Sequence, residues 1–204
     1  METQTASQTG IQKQEENPME RFIRKTRAFF GGAGGQADVV ATNNSWGGGP
    51  RSFALSYEIR SQGEAGILFV AAAGNGALNT DIDPRYPSSF RMGNIISVAA
   101  TDSTDQLAYF SNYGPNSVDL GAPGLYIYST LPNNRYGFMS GTSMAAPHVT
   151  GAVALVKAAC PHLTHLQLKD AILRNVDAVS ALNGKTVTGG RLNVAKAIQS
   201  CVSR

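Results

Sequence analysis

The chain is short of charge, of cysteine and of long apolar runs. Charged residues fill 15% of its 204 positions, against about 25% in an ordinary globular domain, which argues against a disordered polyelectrolyte or a coiled coil. Lys and Arg exceed Asp and Glu by 17 to 14. So small a surplus, with no extended basic tract, leaves no electrostatic footprint for nucleic acid. No apolar run reaches the roughly 18 residues that a membrane-spanning helix needs. Cys160 and Cys201 are the only cysteines; a disulfide and two free thiols fit them equally, and neither fixes a redox compartment. The opening METQTASQTGIQKQEENP has no apolar core of signal-peptide type, and its glutamates disfavour a transit peptide. Localisation therefore stays open.

Glycine, in contrast, is plentiful at 22 residues, which suggests close-packed elements joined by shaped turns. The length predicts one domain with a tail, able to bury about 70% of its unfolded surface without metals or disulfides. Residues 1–35 read as an extension. A polar start gives way at Asn17-Pro18 to a basic amphipathic helix through Phe29 and Phe30, and GGAGG at 31–35 closes it as a joint. Residues 36–204 read as the folded domain. Val39–Thr42, Ile67–Ala73 and Ile95–Ala100 are continuous apolar runs of the kind found in strands buried on both faces. A short helix over Arg51–Glu64 between the first two makes a βαβ unit, so the expected class is α/β, a parallel sheet flanked by helices. Leu107–Phe110, Val118–Leu120 and Tyr126–Thr130 are shorter strand candidates. Helices are expected over Ser143–Ala159, from the capping box Thr164-x-x-Gln167 to about Asn175, and from the cap Asn193 through Cys201.

Ligands of parallel α/β sheets gather beyond the carboxyl ends of the strands, and three segments fall there: Asn43–Gly49, Ala72–Gly76 and Ser140–His148. Ser143 opens a helix, where its own N–H is an orphan donor and the helix dipole favours a developing oxyanion; a plain serine cap is the simpler reading. Pro147 lies early enough in that helix to be tolerated. Asn75 could donate its amide to the same charge, or be an ordinary turn residue. Gly47–Gly49 could let a peptide lie along the backbone as an added strand.

The blocks NNSWGG, FVAAAGN, YPSSF, NIISVAATD, FSNYGP, DLGAPG, SGTSMAAPHV and GGRLNVAKAI, in this order from about Asp38 to Val202, resemble the subtilisin-like serine proteases (subtilases). The resemblance implies a three-layer αβα fold with its N-terminal portion missing. It implies a nucleophile at Ser143 and an oxyanion-hole amide at Asn75, with the Ser143 N–H as second donor. It also implies a substrate edge at Ser45, Trp46 and Gly47, and a facing pocket wall at Ala73 and Gly74. A polypeptide is the substrate so implied. In a subtilisin, loss of the oxyanion asparagine costs about 10²–10³ in rate.

That family also needs an Asp in an Asp-Ser/Thr-Gly turn and a His in a His-Gly-Thr helix start, and neither motif occurs here. The only histidines, His148, His162 and His165, follow Ser143, and Asp102, Asp105 and Asp119 belong to later blocks. His148 would be structural, pointing away from the serine. A serine hydroxyl without a base is a poor nucleophile at neutral pH. The expected activity is thus a subtilisin-like endopeptidase whose Asp and His come from an upstream segment. The alternatives are an inactive pseudoprotease that at most holds extended peptides, or a non-functional gene fragment. The first strand would present an unpaired edge. No cofactor is required and no metal site is assigned, although calcium at Asp81, Asp83 and Asp102 is a possible addition.

Overall fold

A computed structural model describes residues 39–202. The 1–35 extension, with its helix and glycine joint, lies outside the described residues. The expected apolar runs become strands β1 (Ala41–Asn44), β2 (Leu68–Ala72) and β3 (Ile95–Thr101), all parallel and in register, with Ala41 opposite Leu68 and Phe69 opposite Ile95. Every residue of β2 and β3 is buried, so continuous rather than alternating hydrophobicity was the correct signature. β4 (Leu120–Pro123) joins β3 in parallel, then β8 (Gly190–Arg191) and β7 (Asp177–Ala178) complete the order β1-β2-β3-β4-β8-β7. Among the described residues β1 is an edge.

The two faces of the sheet are covered by different helices. Leu68, Val70, Ala72, Ile96, Val98 and Ala100 face one apolar core that also holds Ala145, Ala146, Val149, Val153 and Val156 of α2 (Thr142–Ala159). The alanines at that contact let the long helix lie close to β1–β4. α3 (His165–Leu173) and α4 (Val194–Val202) join the same layer through Leu168, Ile172 and Ala197. On the opposite face α1 (Phe53–Glu64) packs against β2, burying Leu55, Glu58, Ile59 and Gln62 at helical spacing. The result is the expected α/β class in three layers.

The caps follow the sequence closely. Ser52 Oγ accepts from Leu55 N at 3.3 Å and starts α1. The Thr164/Gln167 capping box is formed in both directions, and Asn193 Oδ1 accepts from Lys196 N at 2.9 Å. α3, however, stops at Leu173, short of Asn175. A disulfide joins Cys160, the C-cap of α2, to Cys201 in α4, which decides between the two readings of these cysteines.

The shorter strand expectations need correction: Val118–Leu120 meets β4 only at Leu120. Leu107–Phe110 is no strand; it makes only an isolated bridge between Leu107 and Thr101. Conversely, Arg135–Met139 forms β6, pairing antiparallel with β5 (Ile127–Leu131). The reversal uses Asn133 and Asn134 at φ 64° and 54°, a left-handed conformation that asparagine tolerates better than most residues.

Candidate active site

The carboxyl ends of β1 and β2 and the N-terminus of α2 converge on one cleft of about 500 Å³. Ser45, Trp46, Gly47, Ala73, Gly74, Asn75 and Ser143, all seven residues singled out in the sequence, line it. Trp46 is held by an edge contact to the buried Phe69, with ring centroids 6.5 Å apart. Gly48 N donates to Tyr86 O at 3.0 Å and closes the back of the cleft.

Ser143 is the second residue of α2, and among the described residues its N–H has no acceptor, as expected of a first-turn donor. Asn75 is oriented by Thr142, which the sequence reading passed over. Asn75 Oδ1 accepts from both Thr142 N and Thr142 Oγ1 at 2.9 Å, and Thr142 Oγ1 in turn accepts from Gly74 N at 3.1 Å. With the amide oxygen committed, Nδ2 is left as a donor without an acceptor among the described residues. Both free donors border one space: a Cβ on Gly141 would stand 3.4 Å from Asn75 Nδ2 and 3.6 Å from Ser143 N. Gly141, at φ 156°, therefore keeps open the gap into which the two donors point.

Asn112 is a second residue that local pattern did not reveal. Its buried side chain accepts from Gly76 N at 2.9 Å and Leu78 N at 3.0 Å and donates to Ala73 O at 2.8 Å. These bonds bracket Asn75 from both sides. Gly74, at φ 106°, allows that approach, because a Cβ there would sit 2.4 Å from Asn112 Nδ2. Thr142 and Asn112 lie inside the motifs SGTSMAAPHV and FSNYGP, but their partners are distant in sequence.

Pro147 does more than fit early in its helix. It is the sixth residue of α2 and has no N–H for the carbonyl of Ser143. That carbonyl instead accepts from Ser45 Oγ at 2.8 Å, while Ser143 Oγ donates to Ser45 O at 3.2 Å. The two serines thus hold each other across the cleft, tying β1 to α2.

No histidine reaches the serine. His148 Nδ1–H donates to Met144 O at 2.9 Å, one turn back on its own helix. His162 is exposed beyond the far end of α2. His165 Nδ1 lies 3.9 Å from where Gly66 would carry a Cβ, before β2 begins and so at the opposite end of the sheet from the cleft. The aspartates are likewise engaged. Asp83 pairs with Arg85 at 2.5 Å. Asp102 accepts from Thr104 Oγ1, Thr104 N and Gln106 N, and the threonine hydroxyl leads in holding its carboxyl below the ordinary value. Burial pushes Asp81 up, but hydrogen bonds from Ser117 and Asn116 outweigh it. Among the described residues no three acidic, histidine or cysteine side chains converge to hold a metal. Asp105 pairs with Arg191 at 2.7 Å. Asp119 is buried beside Ser97 N, and burial raises its carboxyl despite Lys169.

A profile described as the subtilase family matches residues 6–193. The chain belongs to this family. The match begins well before Asp38, inside the segment read as an extension. Thermitase of Thermoactinomyces vulgaris is 39% identical over 155 residues, 76% of this chain and 52% of that protein. Subtilisin BL of Lederbergia lenta is 35% identical over 149 residues, covering 73% and 53%. A solved protease of Pseudoalteromonas arctica superposes with a TM-score of 0.71 at 30% identity, covering 81% of this chain and 51% of its own. The chain thus spans about half the length of these subtilases, and 11% of Subtilisin-like protease 2 of Plasmodium falciparum. As a subtilase it has the expected α/β fold, and no helix among the described residues is long and apolar enough to cross a membrane.

Proposed function

We propose that this subtilase chain carries the nucleophile and oxyanion side of a serine endopeptidase, with the Asp and His supplied by a segment upstream of it. The observation that supports this reading best is the pair of unengaged donors, Asn75 Nδ2 and Ser143 N–H, on either side of the opening at Gly141. Ser143 Oγ attacks a peptide carbonyl, a histidine from outside the chain takes its proton, and the two donors hold the oxyanion. Collapse of that intermediate releases the amine and leaves an acyl-serine, which water hydrolyses. The extended substrate lies along Ser45, Trp46 and Gly47, with Ala73 and Gly74 opposite.

One observation favours the alternative of a peptide-holding pseudoprotease. In this chain the Ser143 hydroxyl donates its hydrogen bond to a backbone carbonyl, Ser45 O, and not to a base. In a subtilisin, removing the histidine alone costs about 2 × 10⁶ in turnover. The deciding experiment is antibody capture of the native protein from its source, followed by intact mass and a peptidase assay. Peptidase activity in a protein well above 21.5 kDa, with peptides mapping upstream of Met1, is the expected result. A 21.5 kDa species without hydrolysis turns the assignment to the pseudoprotease.

A further inference from the structure

Among the described residues Arg85 is the single charged one lining the cleft. The two walls leading to it are small and neutral: Gly47 and Gly48 on one side, Ala72, Ala73 and Gly74 on the other. The Arg85 backbone is fixed at three points. Its N–H donates to Ser89 Oγ at 2.9 Å, and its carbonyl accepts from Ser88 Oγ at 2.8 Å and Ser89 N at 2.9 Å. The strand edge that would carry a peptide is fastened to the next residue through Gly48 N and Tyr86 O. Gly47 keeps the passage narrow but open, since a Cβ there would come 3.1 Å from Tyr86 O.

The guanidinium is only partly satisfied. Nη2 donates to Asp83 Oδ2 at 2.5 Å, whereas the buried Nε–H has no partner among the described residues. Nε–H is closed to solvent, so a ligand meets the outer guanidinium nitrogens, of which Nη1 has no partner among the described residues, and a carboxylate is the acceptor that gains most there. Asp83 does not block this role. The Arg85 and Asp83 side chains are 36% and 53% exposed, so their pair is weak and screened, and a guanidinium has five donors to share between two carboxylates.

We propose that Arg85 makes this cleft select a polypeptide bearing an acidic side chain, glutamate or aspartate, in the pocket beside Ser143. The proposal rests on the reading of the cleft as a peptide-binding protease site. A lysine or arginine in that pocket meets a like charge, and an aliphatic side chain offers the guanidinium no acceptor. A carboxylate pairs with the guanidinium between neutral walls, where among the described residues only Asp83 competes for it.

The test needs no catalysis. The full ¹⁵N-labelled chain is titrated with acetyl-Ala-Ala-Ala-Xaa-amide peptides, where Xaa is Glu, Gln, Leu or Lys, and affinity is read from the amide shifts of Gly48, Gly74 and Asn75. The Glu peptide is expected to bind about tenfold more tightly than Gln or Leu, a ratio equivalent to one charge-assisted hydrogen bond in a partly exposed site. Lys should bind most weakly. The advantage of Glu should shrink at high ionic strength and vanish below about pH 4, where the ligand protonates. Arg85→Gln should abolish it while leaving the spectrum outside the cleft unchanged, and Asp83→Asn, which frees the guanidinium, should enlarge it. If the four peptides shift the cleft resonances with equal affinity, acid selection is wrong and the peptide cleft stands. If the Glu preference survives Arg85→Gln, Arg85 is not its source. If no peptide moves these resonances, the cleft reading fails and the proposal with it.

Discussion

The disulfide offers the most direct check on the physical account of this fold. It ties the end of α2 to α4, with a separation of 41 residues between Cys160 and Cys201. Closing a loop of that length in the unfolded chain removes entropy worth about 4 kcal/mol at 25 °C. Both cysteines are at least nine-tenths buried, at 2% and 7% exposure, so the reduced thiols remain in the core and little packing is lost when the bond is cut. The chain-entropy term should therefore dominate. Against a whole-domain stability of about 5–15 kcal/mol, it is a large share.

The measurement is urea unfolding with and without a phosphine reductant, followed by tryptophan fluorescence of the single Trp46. With a slope of about 2 kcal/mol per molar urea, the midpoint should fall by about 2 M on reduction. Cys201→Ser should reproduce most of that fall and make the protein insensitive to reductant. Coincident midpoints for oxidised and reduced protein would refute the reasoning, as would an intact mass that shows two free thiols in the folded state.

Three further outcomes follow from the site and its surroundings. Ser45→Ala leaves the Ser143 carbonyl without a donor and should destabilise by about 1 kcal/mol; in a Pro147→Ala background, where residue 147 supplies the missing N–H, the same change should cost close to nothing, a coupling that a double-mutant cycle reads directly. Asn112→Ala removes one buried and two part-buried hydrogen bonds and should cost about 2–4 kcal/mol. Its hydrogen exchange should show Gly76 and Leu78 losing protection before the strands do. For pH, Lys196 foremost, then Asn193, holds Asp177 low, and the Thr104 hydroxyl does the same for Asp102; their contribution is present above the ordinary carboxylate range and is lost as pH falls through the depressed folded values. Asp119, raised by burial, has the opposite sign: its folded form holds a proton that the unfolded form has released, so stability declines as pH rises from about 4 toward its folded value. Thermal midpoints followed across that range should lose the decline in Asp119→Asn and keep the acid fall.

Legibility from sequence followed the range of each signal. β2, β3 and α2 were readable because their burial is continuous, and every residue of the two strands carries it. Caps at Thr164 and Asn193 were readable because donor and acceptor lie within one turn. β6 was not, because its hairpin exposes Tyr128, Tyr136 and Phe138 to solvent on one face and so gives no alternation toward a core. The pairs β7 and β8, two residues each, are too short to have a period. In the cleft, motif blocks brought the seven lining residues together, whereas the side chains that orient them stayed hidden. Asn112 acts on a loop more than thirty residues before it. Arg85 carries no motif signal, and its charge between the neutral walls of the cleft is what marks it out.

The reciprocal bonds of Ser45 and Ser143 connect these observations to the chemistry. On the proposed reading, Ser45 O accepts a hydrogen bond from the nucleophile's hydroxyl, and the same carbonyl stands on the edge where an added peptide strand would seek an acceptor. A substrate N–H donating to Ser45 O competes directly with the Ser143 hydroxyl. Binding therefore frees the hydroxyl from its resting partner, while Ser45 Oγ still anchors the Ser143 carbonyl at 2.8 Å and keeps the serine in place. The two donors assigned to the oxyanion under that proposal need no such rearrangement, since Thr142 holds the Asn75 amide and Asn112 braces its loop in the ligand-free chain. On the proposed reading, what these residues preorganise is electrostatic stabilisation of the intermediate formed by attack, and the proton transfer falls to a histidine other than His148, His162 and His165.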